Sequence, residues 1–461
     1  MILFANRRTL LNMILIACVF FSHEIVFSQS SGIDGSKQRL EEKVDAYVRP
    51  YLETGNFSGC ILIGKSGEVL LNKSYGFADR EKQIPHTTQT KFHLASASKP
   101  FTTAAIMLLE ERGLLEVTDP VTKFVADFRH GDKITIHHLM THSSGISNSP
   151  GLGHFLDELF NRSKTPKSLV AQFKDDDLIF EPGERYSYNN ANYQLLAYIV
   201  ELASGRKFDA FLKDNIFSPL EMHDSGHDSG DGSQLEQSAK GYAPVGLTDI
   251  EPAPSVNWTT KTGSGSLYST VQDMYKWDRG LHEGKLLKQS SLDKLFKNHL
   301  AGSGYGWFTV PHLNRERVYI NGRSPGFSSY HVRYLEDKLT IIILNNMYNS
   351  LPTPMGKDIA AIFFDEPYQV PQFSAAKSRR EVINAIVGTY QFGPDFYRPN
   401  GATKIFAKDG NLYTSEGGLL ATPDEMTFIY RRYWSTLTFV RGENGKVTHV
   451  IFDSFKGNKE K

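Results

Sequence analysis

A serine and a lysine three positions apart have the residue types and the spacing for covalent catalysis. Ser96 and Lys99 precede a mostly apolar run, 101–112, with Pro100 in the first turn and Gly113 just past the end, a pattern typical of a helix. Lys99 is therefore expected one turn from Ser96 on the same helix face. A serine hydroxyl becomes a good nucleophile when a neighbouring amine of lowered pKa takes its proton, and N–H groups at a helix start can stabilise an oxyanion. The pair predicts acyl transfer on Ser96.

The same four-residue pattern is not specific by itself. A lone Ser96 equally fits a helix cap, because serine is a favoured capping residue. The pattern also begins at Ser204, Ser291 and Ser374. None of these three matches has a turn, a helix start and a long apolar helix together. The choice between a cap and a nucleophile therefore depends on the rest of the chain.

A second polar segment follows a Pro-Gly turn at 182–183 and ends where a helix is predicted from Tyr193. Tyr188 and Asn190 lie two positions apart, so they can face the same side of an extended segment. A phenol near a cation can transfer protons, and an amide can fix a lysine or a substrate carbonyl. Because the pattern recurs at Tyr319, a polar loop with an aromatic anchor is the competing interpretation.

A third segment, 319–330, is a strand that runs into the closely spaced glycines Gly322 and Gly326. Glycines in a strand allow another backbone or a ligand to approach closely. The segment is therefore a candidate wall of a binding site.

Apolar alternation predicts strands on both sides of a helix-rich middle. The predicted strands are 59–64, 69–75, 305–310, 317–320, 328–334 and 339–344. The predicted helices are 36–52, 100–112, 136–141, 193–203, 208–216 and 270–282. These patterns predict one sheet built from distant parts of the chain, within an α/β (α+β) domain over 36–365.

A Pro-punctuated linker over 366–380 is expected to separate this domain from a small all-β domain over 381–461. Turn signals lie at 409–410 and 444–445. The predicted strands are 388–392, 404–408, 411–414, 427–430, 436–440 and 447–452.

Composition and the N-terminus bear on compartment and partners. Lysine plus arginine and aspartate plus glutamate both number 51, so the net charge is zero and nucleic-acid binding is not expected. Arg7–Arg8, the apolar run 10–21 and a cleavage point near 28 predict a signal peptide over 1–28, with a periplasmic or secreted protein that has no membrane helix. The alternative is a lipid anchor at Cys18. With the leader removed, Cys60 is alone and fits a buried apolar position in a strand.

The three segments occur in the order found in the penicillin-recognising serine hydrolases. The chain resembles the branch that holds class C β-lactamases, D-amino-acid-releasing peptidases and related esterases, whose sheet carries helices on both faces. The β-rich tail is similar to a barrel-like accessory domain of that branch. The resemblance covers about residues 40–350 and includes the stretches 134–146 and 263–270.

This resemblance implies a role for each residue of the first two segments. Ser96 is the expected acylated nucleophile, and Lys99 its general base, alone or with Tyr188. Tyr188 is expected to protonate the leaving group, and Asn190 to orient Lys99 and the substrate. His142 belongs to a structural turn in such proteins, so a catalytic histidine is not expected. No metal or cofactor is expected.

The third segment departs from the family pattern. The resemblance assigns substrate binding to Gly322 and Arg323, with the N–H groups of Ser96 and Arg323 as the oxyanion hole. Ile320 stands where the family usually has lysine or histidine. That cation commonly engages a substrate carboxylate, so recognition of penicillin and of D-Ala-D-Ala is in doubt, and Arg323 is the candidate substitute.

Two functions remain open from the sequence. The first is an exported serine hydrolase that acts on an ester, an amide, a D-peptide or a β-lactam. The second is a catalytically impaired relative that binds peptidoglycan fragments or a protein partner in the same cleft, and Ile320 is its main support.

Overall fold

The computed structural model describes residues 30–148, 162–370, 379–393, 396 and 400–460. Its helices are α1 (Ser30–Glu53), α2 (Lys99–Glu111), α3 (Ile136–Met140), α4 (Pro166–Val170), α5 (Asn190–Ser204), α6 (Phe208–Leu212), α7 (Val271–His282), α8 (Gln289–Phe296), α9 (Pro352–Phe364) and α10 (Arg380–Ile386). Short 3₁₀ turns span Ala95–Ser98, Val121–Lys123 and Trp258–Lys261, and a π-helical turn spans Lys213–Phe217.

The strands before the C-terminal part form one large sheet and several small ones. They are β1 (Gly59–Lys65), β2 (Glu68–Tyr75), β3 (Phe77–Asp79), β4 (Ile84–Pro85), β5 (Phe92–His93), β6 (Gly226–His227), β7 (Tyr242–Val245), β8 (Asp249–Pro252), β9 (Leu267–Ser269), β10 (Arg317–Ser324), β11 (Phe327–Tyr334) and β12 (Leu339–Asn345). The large sheet is antiparallel with five strands in the order β10-β11-β12-β1-β2. Gly59 pairs with Asn345, which confirms that distant parts of the chain share one sheet.

Helices cover both faces of this sheet. Successive side chains of a strand point to opposite faces, so neighbouring residues of β1 enter different apolar cores. Leu62 belongs to the apolar core that contains α2, α5 and α7. Its neighbours Ile61 and Ile63 belong to the core that contains α1 and α9. Every residue of β12 is buried, as expected for a central strand with an apolar layer on each side.

One local prediction is wrong, and one predicted helix starts earlier than expected. The expected strand over 305–310 is an irregular segment, whose Phe308 makes isolated bridges to Ser303 and Tyr319. Gly306 has a φ of +77° and packs closely on α2, since an added Cβ would lie 2.9 Å from Thr103 Oγ1. The helix expected from Tyr193 begins earlier, with α5.

The C-terminal strands close into an eight-stranded antiparallel barrel. They are β13 (Gly388–Phe392), β14 (Ala402–Lys408), β15 (Asn411–Thr414), β16 (Gly417–Ala421), β17 (Thr427–Tyr430), β18 (Ser435–Arg441), β19 (Val447–Phe452) and β20 (Phe455–Lys459). Apolar side chains fill its interior. The sequence did not predict β16 or β20, and β20 closes the barrel by pairing Lys459 with Tyr390.

The predicted leader over 1–28, with Cys18, lies outside the described residues, and so do residues 371–378 of the predicted linker. Among the helices of the described segments, none combines the length and the apolar composition that a bilayer span requires.

Candidate active site

Ser96 lies on the 3₁₀ turn Ala95–Ser98 that leads directly into α2. Ala95 has a φ of +50°, an uncommon conformation for a residue with a side chain. Strand β10 packs against this turn, and an added Cβ at Gly322 would lie 2.2 Å from Leu94 O and 3.0 Å from Ala97 N. A glycine is therefore required where β10 meets the turn.

The Ser96 hydroxyl is contacted by the two side chains that the sequence singled out. Tyr188 donates its phenolic O–H to Ser96 Oγ at 2.7 Å. Lys99 Nζ lies 3.2 Å from the same oxygen, and 4.8 Å from the centre of the Tyr188 ring. Ser96, Lys99 and Tyr188 thus form one hydrogen-bonded group.

The amine of Lys99 is fully buried. It donates to Asn190 Oδ1 at 2.9 Å and to the carbonyl oxygen of Ser264 at 2.8 Å. Burial first, and the nearby charge of Lys261 second, hold the pKa of Lys99 well below its usual value. Both causes disfavour an ammonium, so the amine is poised to act as a base.

Asn190 reaches Lys99 because α5 begins at that residue. Asn189 is the N-cap, and its side-chain oxygen accepts hydrogen bonds from the N–H groups of Ala191 at 2.7 Å and Asn192 at 3.4 Å. Such caps offset the unpaired donors of a helix start. The N-cap Asn189, which is extended, separates Tyr188 from the first helical residue.

The ring of His142 packs against Tyr188, with 4.6 Å between ring centres. His142 Nδ1 accepts a hydrogen bond from the Asn189 N–H at 3.0 Å. Burial first, and the charge of Lys99 second, hold the pKa of His142 well below its usual value. Burial also raises the pKa of Tyr188 to about 12, although the hydrogen bond to Ser96 opposes this rise.

The side chains of β10 alternate between the cleft and the opposite face. Ile320 is 2% exposed and lines a narrow cleft together with Lys99 and Tyr188. Arg323 lies on the other face of the strand, where its Nη1 donates to Ser350 Oγ at 3.0 Å. The Arg323 guanidinium therefore does not occupy the position of the missing cation.

Backbone N–H groups of β10 face the outer edge of the sheet at alternate residues. Tyr319 donates its N–H to Phe308 O at 2.9 Å on that edge. The pairing of β10 with β11 is regular from Arg317 to Ser324, so the N–H of Arg323 points to the same edge.

This geometry agrees with a comparison to protein families, in which residues 44–362 match the β-lactamase family. The chain belongs to the β-lactamase family of serine hydrolases. It is 26% identical to penicillin-binding protein 4* of Bacillus subtilis over 90% of this chain and 97% of that protein. It is 32% identical to the putative penicillin-binding protein PbpX of the same species, over 66% of this chain and 74% of that protein.

A solved structure extends the likeness into the C-terminal barrel. The octameric penicillin-binding protein homologue from Pyrococcus abyssi superposes with a TM-score of 0.64 at 23% identity, over 92% of this chain and 99% of that one. This comparison shows the fold, including the eight-stranded barrel after the β-lactamase-family region.

Two contributors to the site were not found from the sequence. The Ser264 carbonyl contacts Lys99 through its backbone, and backbone contacts leave no signal in residue type. Lys261 lies on the 3₁₀ turn Trp258–Lys261, and burial lowers its pKa to about 8. Lys261 affects the pKa of Lys99 only because the fold places the two side chains near each other, which the sequence does not show.

We expect Gly322→Ala to lower the free energy of unfolding by about 1–3 kcal/mol, since the added methyl overlaps the Leu94 carbonyl and the surrounding backbone must move. Gly35→Ala is the control, because an added Cβ there meets no atom within 4 Å. Alanine in a helix is favoured over glycine, so this control is expected to be neutral or stabilising. Urea denaturation of both variants measures the difference, and equal stabilities would contradict the close approach.

Proposed function

We propose that the protein hydrolyses a carbonyl substrate through an acyl-enzyme on Ser96. The observation that carries the proposal is the convergence on Ser96 Oγ of a phenol at 2.7 Å and a buried amine at 3.2 Å. The amine belongs to Lys99, whose pKa is lowered mainly by burial. A nucleophile, a base and a second proton carrier are thereby within one hydrogen-bonded group.

In the proposed first step, Lys99 Nζ takes the Ser96 proton while Oγ attacks the carbonyl carbon. The negative charge then moves to the carbonyl oxygen, which the N–H groups of Ser96 and Arg323 stabilise. Tyr188 passes its proton to the leaving group as the tetrahedral species collapses, and the proton held on Lys99 restores the phenol. Asn190 keeps the amine in place through its 2.9 Å contact.

Water completes the proposed cycle. Lys99 and Tyr188, back in their starting protonation states, activate a water molecule that attacks the acyl carbon of the Ser96 ester. The second tetrahedral species occupies the same oxyanion site. Its collapse returns the proton to Ser96 Oγ and releases the acid.

We propose uncharged esters as the preferred substrates. Ile320 gives the cleft an apolar side chain beside Lys99 and Tyr188, together with Trp307 and Phe308. A substrate carboxylate brought to this wall loses hydration without gaining a partner from β10, whereas a neutral ester loses little. Amides, D-peptides and β-lactams are the other substrates compatible with the same chemistry.

Export and the division of the chain belong to the same proposal. The leader pattern over 1–28 supports cleavage and a periplasmic or secreted protein, with Cys18 lipidation as the alternative. We propose a hydrolase unit over 36–365, a linker over 366–380 and a barrel unit over 381–461, and the family match over 44–362 supports the first of these.

Ser96→Ala is expected to abolish both hydrolysis of p-nitrophenyl butyrate and labelling by a fluorophosphonate, because no other oxygen replaces Oγ. The free energy of unfolding is expected to change by about 1 kcal/mol, the usual contribution of one hydrogen-bonding side chain. Fluorescence of the labelled protein in a gel and thermal unfolding measure the two effects. Ser204→Ala, in another Ser-x-x-Lys sequence, is the matched control and keeps full labelling.

An unlabelled but folded wild-type protein would contradict the proposal and favour the non-catalytic relative that binds peptidoglycan fragments or a protein partner. Labelling that persists in Ser96→Ala would move the nucleophile to another residue.

Ile320→His is expected to raise kcat/KM for carboxylate-bearing substrates by about tenfold or more, because a charge-assisted hydrogen bond contributes about 1.5–3 kcal/mol. Hydrolysis of p-nitrophenyl butyrate is expected to change far less. Ile320→Leu preserves the apolar wall and serves as the control. Steady-state kinetics on nitrocefin and the butyrate ester measure the ratio, and a wild type that already hydrolyses both equally well would show that another cation replaces the missing one.

A further inference from the structure

Residues 431–434 of the C-terminal barrel, which connect β17 to β18 and are called the docking turn below, contact the hydrolase region. Arg431 is fully buried, and its Nε donates to Asn56 Oδ1 at 2.8 Å. Its Nη1 donates to the carbonyl oxygens of Val245 at 2.9 Å and Asp249 at 2.7 Å. A buried guanidinium with these acceptors fixes the turn against the hairpin β7–β8.

The last residue of the docking turn makes a second contact with the hydrolase region. The ring of Trp434 packs on Tyr51 of α1, with 5.6 Å between ring centres. Trp434 has a φ of +56°, which is unusual for so large a side chain and persists only where surrounding contacts hold it. The turn is therefore held at both of its ends.

Between these anchors, Tyr433 meets β10 at the residue whose N–H is the proposed oxyanion donor. The Arg323 guanidinium lies 5.1 Å from the centre of the Tyr433 ring and 5.4 Å from that of Tyr348, which is within the range of cation–π contact. The Ser350 hydroxyl accepts from Arg323 Nη1 at 3.0 Å, and the Ser350 N–H donates to Tyr433 O at 3.0 Å. Arg323 is thus tied to the docking turn directly and through Ser350.

Strand β10 needs such a restraint because it is the edge strand of the sheet. On its outer side Tyr319 is bridged to Phe308, while Arg323 lies four residues further along the same edge. An oxyanion donor must lie about 2.7–3.1 Å from the charged oxygen, and a misplacement of about 1 Å can lower the rate about a hundredfold. A side chain held against two aromatic rings and the Ser350 hydroxyl limits that displacement.

We propose that the barrel positions the oxyanion strand, with Tyr433 as a positioning residue that acts through its contact with the side chain of Arg323. The inference rests on the proposed function, since it concerns the N–H that stabilises the oxyanion. Tyr433 itself is not a catalytic residue, because it contacts Arg323 and Ser350 on the face of β10 that is turned away from Ser96, and Glu416 within the barrel. The hydrolase region therefore depends on the barrel for rate and not for its nucleophile.

Tyr433→Ala in the full chain is the test. We expect kcat for p-nitrophenyl butyrate and the fluorophosphonate labelling rate to fall about tenfold, a part of the loss seen when an oxyanion donor is removed. KM is expected to stay within about threefold, because the oxyanion forms only after substrate binds. Tyr433→Phe keeps the ring and loses only the hydroxyl contact to Glu416 at 2.7 Å, so it is expected to restore most of the rate.

Two further variants separate positioning from loss of fold. Arg323→Gln removes the guanidinium from the hydrolase side and is expected to reproduce the Tyr433→Ala loss without altering the barrel. The double variant is then expected to have the same kcat as either single variant, since both substitutions break the same contact. Tyr413→Ala is the control, because it removes an equally large ring that stacks on Phe406 within the barrel.

The outcomes distinguish this inference from the function on which it rests. A wild type that is not labelled on Ser96 would overturn both. A labelled wild type with a folded Tyr433→Ala or Arg323→Gln variant that reacts at the wild-type rate would overturn the positioning role alone. A rise in KM with unchanged kcat would also overturn it, because that pattern indicates a ground-state contact with substrate.

Discussion

The buried amine of Lys99 is the constraint on which the rest of the site depends. Its contacts at 2.8–3.2 Å are a carbonyl, an amide oxygen and a hydroxyl, none of which carries a negative charge to pair with an ammonium. Burial disfavours the charged form, so the environment selects the state that can accept a proton. Each contact comes from a different part of the chain, and the fold brings these parts to one atom.

The central sheet explains how that convergence is achieved. Strand β1 lies between β12 and β2, so segments almost three hundred residues apart form a single rigid platform. The 3₁₀ turn of Ser96 rests on β10 through Gly322, and Ser329 Oγ of β11 donates to Leu94 O at 2.7 Å beside the same turn. The barrel contacts the side chain of Arg323 on β10 through the docking turn. The sheet, the Ser96 turn and the barrel are therefore connected by direct contacts.

The sequence predicted the fold well wherever apolar periodicity and turn residues agreed. β13, β15, β17 and β19 were predicted with the bounds that the structure has, because alternation and Asp-Gly or Asn-Gly turns specify them locally. The segment 305–310 was wrongly predicted as a strand, since its aromatic residues pack as an irregular wall of the cleft. In the candidate site, motif order pointed to Ser96, Lys99, Tyr188 and Asn190. The backbone contact of Ser264 and the charge of Lys261 depend on tertiary position, which residue type does not encode.

The most direct test of this account is the pKa of Lys99 itself. NMR titration of protein with isotopically labelled lysine side chains resolves individual amines, and Lys99→Met identifies the Lys99 signal by its loss. The account predicts that Lys99 titrates well below 10.5, because burial and the charge of Lys261 both disfavour the ammonium. Titration at or above 10.5 would show that Lys99 remains an ammonium and would contradict its assignment as the base for Ser96.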